Sequence, residues 1–352
     1  MFKLFICFFV ALSLMSKGLA EGQSIEEASA LFVQKKFDSA YVAAKQIIEK
    51  NAAIPDAYVV AGRSLVAMKN YREAIGYLEN AKTFTDAPAY SKAWSMCELG
   101  WCYYAKEDYD KSKDNLMECM ELNATKNATK SAQYAMLKLG FDKLYDSWVV
   151  KESPHFRFHF QDTAAVASVK RLMQLKETAF DTINRFFNST LPKKIDYFVW
   201  SDAKMADSIF HQRLAFSESS LCLTHTDPKH TIGHEMTHSI SYHAVKTKKQ
   251  TQLIAEGVCV CFDGTARDNI AAVKKNMDSR ITVSDIWKND SRLGEEIIYP
   301  LGGELVKRLI VKYGRDKFMR LLENQTYENA VKIYGNDLEK VLQQLEMDIN
   351  PE

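Results

Sequence analysis

The sequence predicts a chain of two domains that differ in class: an all-α helical repeat array over residues 21–150, then an α+β domain over residues 151–352. Three observations carry this reading. Phe37, Tyr71 and Tyr109 recur about every 34–38 residues, each three positions ahead of a small residue, Ala40, Ala74 or Ser112. After Trp148 that rhythm breaks, and His155-Phe156-Arg157-Phe158-His159-Phe160 alternates with the period of two expected of a strand. Finally, 352 residues with 47% apolar content can bury one large core or two ordinary ones, and the change of pattern near residue 150 favours two.

Taken in order, the N-terminus reads as an export signal over residues 1–20. Lys3 precedes the apolar run Leu4 to Met15, and Gly18-Leu19-Ala20 supplies small residues for cleavage. The run is too short to span a bilayer, so no stable membrane span is expected once the signal is removed. The expected location is periplasmic or secreted, with an uncleaved N-terminal anchor as the alternative. A net charge of +1 gives no argument for nucleic acid or an anionic membrane surface as partner.

In the repeat region Gly62 and Gly100 stand where helices cross closely, and Ala28 fills that slot in the first unit. Ser131 to Tyr145, with Gly140 placed comparably, is expected to cap the array. A generic helical bundle is the competing reading. The period and the small crossing residues resemble the tetratricopeptide family, closely in the second and third units and loosely in the first. That resemblance implies a protein partner engaged through the array, and Tyr58, Arg63, Tyr103 and Tyr104 offer aromatic and cationic contacts.

Beyond the first strand, Ala164 to Phe187 reads as a helix. Lys194 to Trp200 and Ser220 to His225 read as strands, Asp227-Pro228 as a turn, and Gly302 to Ile349 as helix broken at Gly314 and Gly335. The chemistry lies between them. His234-Glu235-Met236-Thr237-His238 puts two imidazoles four apart on one helix face, where two nitrogen ligands converge on one ion. Glu235 lies off that face, beside the open side of such an ion, where a carboxylate takes a proton from water. The apolar helix Leu253-Ile254-Ala255-Glu256-Gly257-Val258-Cys259-Val260 follows with a single acid, Glu256. A carboxylate among buried-type residues needs a partner or a metal.

This pattern over roughly residues 150–345 resembles the gluzincin metallopeptidases, in particular the peptidase MA-like group, which pairs a zincin-like domain with helical repeats. The resemblance implies Zn2+ held by His234, His238 and Glu256, with Glu235 as general base. It also implies that the strand before the metal helix is a sheet edge to which substrate backbone adds. Tyr299 sits where the resembled family tends to have an aromatic hydroxyl that stabilises an oxyanion; a core tyrosine is the competing reading. The metzincin pattern fails, because Ser241 and Ala244 stand where it needs Gly and His.

Asp263 is placed to orient a ligand histidine, while His155, His159, His211, His225 and His230 share no ligand-like spacing and read as structural, and His243 as incidental. Cys97, Cys102, Cys119, Cys222, Cys259 and Cys261 are expected as buried free thiols. Five sequons, at Asn123, Asn127, Asn188, Asn289 and Asn324, matter only in a eukaryotic secretory pathway. The sequence therefore points to an exported zinc metallopeptidase that hydrolyses peptide or protein substrates, its array recruiting substrate or partner. The alternatives are a catalytically silent repeat and zincin scaffold, and hydrolysis of a non-peptide amide.

Overall fold

The computed structural model describes residues 24–277, 280–289 and 293–350. The expected signal segment, with Cys7, lies outside the described residues. The chain divides into two compact units, one running to Phe141 and the other from Asp142.

The first unit is all α: α1 (Ile25–Val33), α2 (Phe37–Lys50), α3 (Pro55–Ala67), α4 (Tyr71–Thr83), α5 (Ala89–Ala105), α6 (Tyr109–Leu122) and α7 (Lys126–Lys138). Ser24 opens α1 with a capping box to Glu27. Each helix pair turns on one residue in the left-handed region: Lys35, Lys69 and Glu107, with φ of 60°, 63° and 62°. The amide after each of these donates back to the preceding helix, as in Lys36 N to Leu31 O, Asn70 N to Leu65 O and Asp108 N to Tyr103 O. The repeat is thus written in the backbone as well as in the side chains.

Helices cross where the sequence places small residues. A Cβ on Gly62 would meet the Leu78 side chain at 2.5 Å, and one on Gly100 would meet Leu116 at 2.5 Å. Gly140 does not share this role. It follows the end of α7 with φ of 79°, a helix-terminating position that favours glycine. Tyr103 and Tyr104 are buried rather than presented to a partner: Tyr103 donates to Glu79, and Tyr104 packs on Tyr109 and Phe141. Arg63 pairs with Glu98 and lies over the Trp94 ring, 3.7 Å from its centroid.

The second unit holds a five-stranded sheet made of β1 (Val149–Glu152), β2 (Phe156–Phe160), β3 (Ile195–Val199), β4 (Phe216–Glu218) and β5 (Leu223–Thr226), in the order β1-β2-β3-β5-β4. The middle three strands are parallel, and both outer ones pair antiparallel. Because β1 pairs with β2, the residues before 151 belong to this unit, and the division falls earlier than the sequence pattern indicated. The strand before the helix that carries His234 and His238, β5, is not the edge. Phe216–Glu218, too short to stand out in the sequence, pairs with it and takes the outer place.

Alternation sorts the two faces. Phe156, Phe158, Phe160, Ile195, Tyr197 and Val199 face a core built with α8 (Val169–Phe187) and α10 (His234–Ala244). Burying the three phenylalanines is worth about 1.5–3 kcal/mol each, and a one-residue slip would expose them all, so the register is fixed. On the other face His159, Phe198, His225 and Phe216 are cross-strand partners and stack at 4.2, 4.5 and 5.1 Å. His159 and His225 are therefore structural, as expected.

The remaining helices are α9 (Ala203–Phe210), α11 (Gln252–Cys261), α12 (Asn269–Asn276), α13 (Val283–Asn289), α14 (Glu295–Glu323), α15 (Tyr327–Tyr334) and α16 (Asn336–Ile349). Gly314 kinks α14 and Gly335 separates α15 from α16, both at positive φ. No described helix is long and apolar enough to cross a membrane.

Candidate metal centre

The site begins with the start of α10. Three contacts hold it. Lys176 of α8, 3% exposed, donates to the carbonyls of Thr231 and Ile232 at 3.1 and 2.9 Å. Gly233 N donates to Asp263 O at 3.1 Å, an approach close enough that a Cβ on Gly233 would meet the Phe262 carbonyl at 2.0 Å. Thr237 Oγ1 returns to Gly233 O at 2.8 Å. The first turn of α10, with His234 and Glu235, is thereby fixed on three sides.

α11 is brought up by its glycine. A Cβ on Gly257 would meet backbone atoms of Gly302 at 2.4–2.8 Å, so α11 and α14 cross backbone against backbone next to Glu256. This crossing also places Tyr299, one turn ahead of Gly302 on α14, at the site. Its ring stacks on His234 at 5.8 Å, and its hydroxyl feels the Glu256 carboxylate. Burial, with the Glu256 and Glu295 carboxylates, pushes the Tyr299 hydroxyl far up, so it stays a proton donor.

The three sequence-predicted ligands meet at one point. Glu256 Oε2 lies 3.3 Å from His234 Nε2 and 3.5 Å from His238 Nε2. Zinc bonds of about 2.0–2.1 Å to a tetrahedron of donors imply edges of roughly 3.3–3.4 Å, so the spacing fits a divalent ion. Glu256 Oε2 is also a buried atom with no hydrogen-bond partner, which a cation would satisfy. Although burial opposes it, the two histidines hold the Glu256 carboxyl down at about 2. His238 is raised well above the ordinary imidazole range: burial works against its charge, but Cys259 and Glu256 outweigh it. The pocket is built to hold positive charge.

Cys259, one turn beyond Glu256, also faces the histidines, its sulfur within 4.8 Å of ligand atoms of both. Glu256 is the better third donor, because it is ionised and equidistant from both nitrogens, whereas burial pushes the Cys259 thiol up to about 11. All six described cysteines are free, and only Cys261 among them is partly exposed.

Glu235 is 4% exposed. Ser217 of β4 donates to its Oε2 at 2.8 Å, and His230 Nε2 lies 3.3 Å from its Oε1. Burial favours the protonated acid, but His230, His238 and His234 outweigh it and keep the carboxyl below its ordinary range. It is an ionised carboxylate held in a buried setting. His230 is thus a site residue that histidine spacing missed. Asp263 does not orient a ligand histidine: its carboxylate serves Thr265 and Arg267, and its carbonyl serves Gly233.

A tetratricopeptide repeat model matches residues 95–126, the stretch forming most of α5, all of α6 and the first residue of α7. That match supports a role for the array in binding protein partners. Among curated proteins, none matches this chain.

Proposed function

We propose that the chain is an exported zinc-dependent metallopeptidase of the gluzincin, peptidase MA-like kind, its repeat array recruiting the protein substrate or a partner. The observation that carries this is the buried, unpartnered Glu256 Oε2 at 3.3 and 3.5 Å from two imidazole nitrogens. His234, His238 and Glu256 would hold the ion. Bound there, it supplies Lewis acidity, acidifying water and polarising a carbonyl.

The protein does the rest. Glu235, already ionised, takes the proton of the attacking water and hands it to the leaving amine. Ser217 holds one of its oxygens by a hydrogen bond, and His230 Nε2 lies 3.3 Å from the other. Tyr299 keeps its proton and offers it as a hydrogen bond to the oxyanion that develops at the carbonyl. A scaffold that only binds would suit the array but leaves unexplained an ionised Glu235, 4% exposed and hydrogen-bonded by Ser217.

The test is metal content. The purified chain should carry about one zinc per molecule, and His234→Ala with His238→Ala should abolish it. Stoichiometric zinc in the folded double variant, measured by atomic emission and circular dichroism, would overturn the site assignment.

A further inference from the structure

Beside the centre, on its His238 side, lies a cavity of about 310 Å3. His238 forms part of its wall, as do Ala255 and Val258, which flank Glu256 on α11. A group seated there is therefore against His238 and the helix that carries Glu256. The remaining walls are largely polar: Ser219, Ser241, Thr247, Lys248 and Gln250 line it. No carboxylate is among the described lining residues, and Lys248 supplies the cationic group apart from the candidate ligand His238.

Lys248 stands on the loop joining α10 to α11, yet that loop is not loose. Lys248 N donates to Glu323 O at 2.7 Å, Gln325 N donates to Lys249 O at 2.8 Å, and Lys249 bridges to Asn324. Thr251 N is held by the Gln325 side chain at 3.1 Å. The backbone beneath the lysine is thus clamped to the end of α14. Lys248 is exposed, and no carboxylate is among the described residues that line the cavity with it, so its ammonium can meet an anion. Ser219, also in the cavity wall, directly follows edge strand β4, so the outer strand and the cavity are continuous along the chain.

We infer that this cavity is a substrate subsite for a carboxylate, either an acidic side chain next to the cleaved bond or a free C-terminal carboxylate. The inference rests on the metallopeptidase reading and deepens it: the substrate class is acidic peptides. A lysine in a polar wall without competing acids gains charge-assisted hydrogen bonds to a carboxylate, which an amide of the same shape cannot match. The hydroxyl and amide groups of the walls supply further donors.

The experiment uses the full chain with Glu235→Gln to stop turnover, and fluorescent peptides identical but for two features. One pair carries Glu or Gln at each position in turn; the other ends in a carboxylate or an amide. Anisotropy should show one acidic form binding about tenfold tighter, the pair that discriminates identifying the source of the carboxylate. Lys248→Gln should reduce that preference to near unity and Lys248→Glu should invert it, while Lys246→Gln, outside the cavity wall, should preserve it. In the wild type the preference should sit in KM rather than kcat. Equal binding within both pairs, or a preference that survives Lys248→Glu, overturns the inference. Cleavage without acidic preference leaves the peptidase reading standing and removes the subsite. Binding of acidic peptides that depends on Lys248, in a wild type that holds zinc but hydrolyses nothing, keeps the subsite and removes the peptidase reading.

Discussion

The two units solve different packing problems. The interior of the array is mostly Ala, Leu, Val and Cys with a few hydroxyls, and Lys138 is its buried cation. The second unit buries Lys176, Lys193, Asp196, Glu235 and Asp263 and the candidate ligand His234. An interior that asks only for shape can be met by the same shape several times over, which is why the array repeats. Each buried charge, by contrast, needs its own partner, so the second unit has no period to repeat. Lys176 and Asp263 hold the start of α10, while Lys193 and Asp196 pair with each other.

The largest expected effect breaks the proposed hydrolysis without touching packing. On that proposal, Glu235→Gln keeps size and one acceptor but loses the base, so hydrolysis should fall by roughly a hundredfold or more while zinc content stays unchanged. Kinetics on a generic peptide, with zinc assayed in parallel, checks this. Wild-type turnover in the variant would return the second unit to the status of a scaffold.

Next comes a pair of glycines, one from each unit. Gly257→Ala drives a methyl into Gly302 backbone at 2.4–2.8 Å, and backbone cannot step aside. Overpacking of this kind costs about 1–3 kcal/mol, here at the upper end because the clash is with backbone, and by pushing α11 off α14 it should also weaken the proposed zinc binding. Gly62→Ala meets the Leu78 side chain at 2.5 Å, which can turn away, and the helix gains about 1 kcal/mol of propensity. Its net cost should be under half that of Gly257→Ala in urea denaturation. Equal costs would mean that the two crossings are alike after all.

What the sequence showed, and what it hid, divides along the same line. The array, the strand at Phe156, the metal helix and the Glu256 helix rest on local periodicity, and all are formed where the pattern places them. Lys176, Ser217 and His230 were not legible as site residues. Lys176 reaches Thr231 from 55 residues away, and Ser217 reaches Glu235 from 18; no window of periodicity contains both partners. His230 sits in the turn before α10, where a histidine has no helical spacing to betray it. Tyr103 and Tyr104 misled in the other direction, since an aromatic on a first helix is as easily core as contact surface.

A third prediction concerns Lys176. Burial lowers its amine to about 7, against the pull of Glu235 and Asp227. Uncharged, it still has two N–H groups for the two carbonyls it bonds. Because the unfolded chain binds this proton more tightly, stability should rise with pH from about 7 towards the ordinary lysine value near 10.5 and should be flat below 7. Lys176→Met cannot bind that proton in either state, so its stability should lack this rise. Urea midpoints of both proteins across that range decide it; parallel curves would show that the buried amine is charged when folded.

The smallest effect tests whether the array's turns carry strain three times over. Lys35, Lys69 and Glu107 all adopt the left-handed region, which costs a residue with a Cβ about 1–2 kcal/mol. Glycine removes that cost but brings up to about 1 kcal/mol of extra unfolded-state entropy, so Lys69→Gly should gain roughly 0.5–1 kcal/mol. Local opening of α3 and α4 should become about two- to fivefold rarer by hydrogen exchange. The same change at Asn188, the left-handed cap of α8 in the second unit, should gain less, because asparagine tolerates this region. Turns lying in separate repeats share no partner, so the Lys35, Lys69 and Glu107 gains should add. A triple variant well short of the sum would mean that the turns are coupled along the array, and that a shape repeated in sequence is not independent in energy.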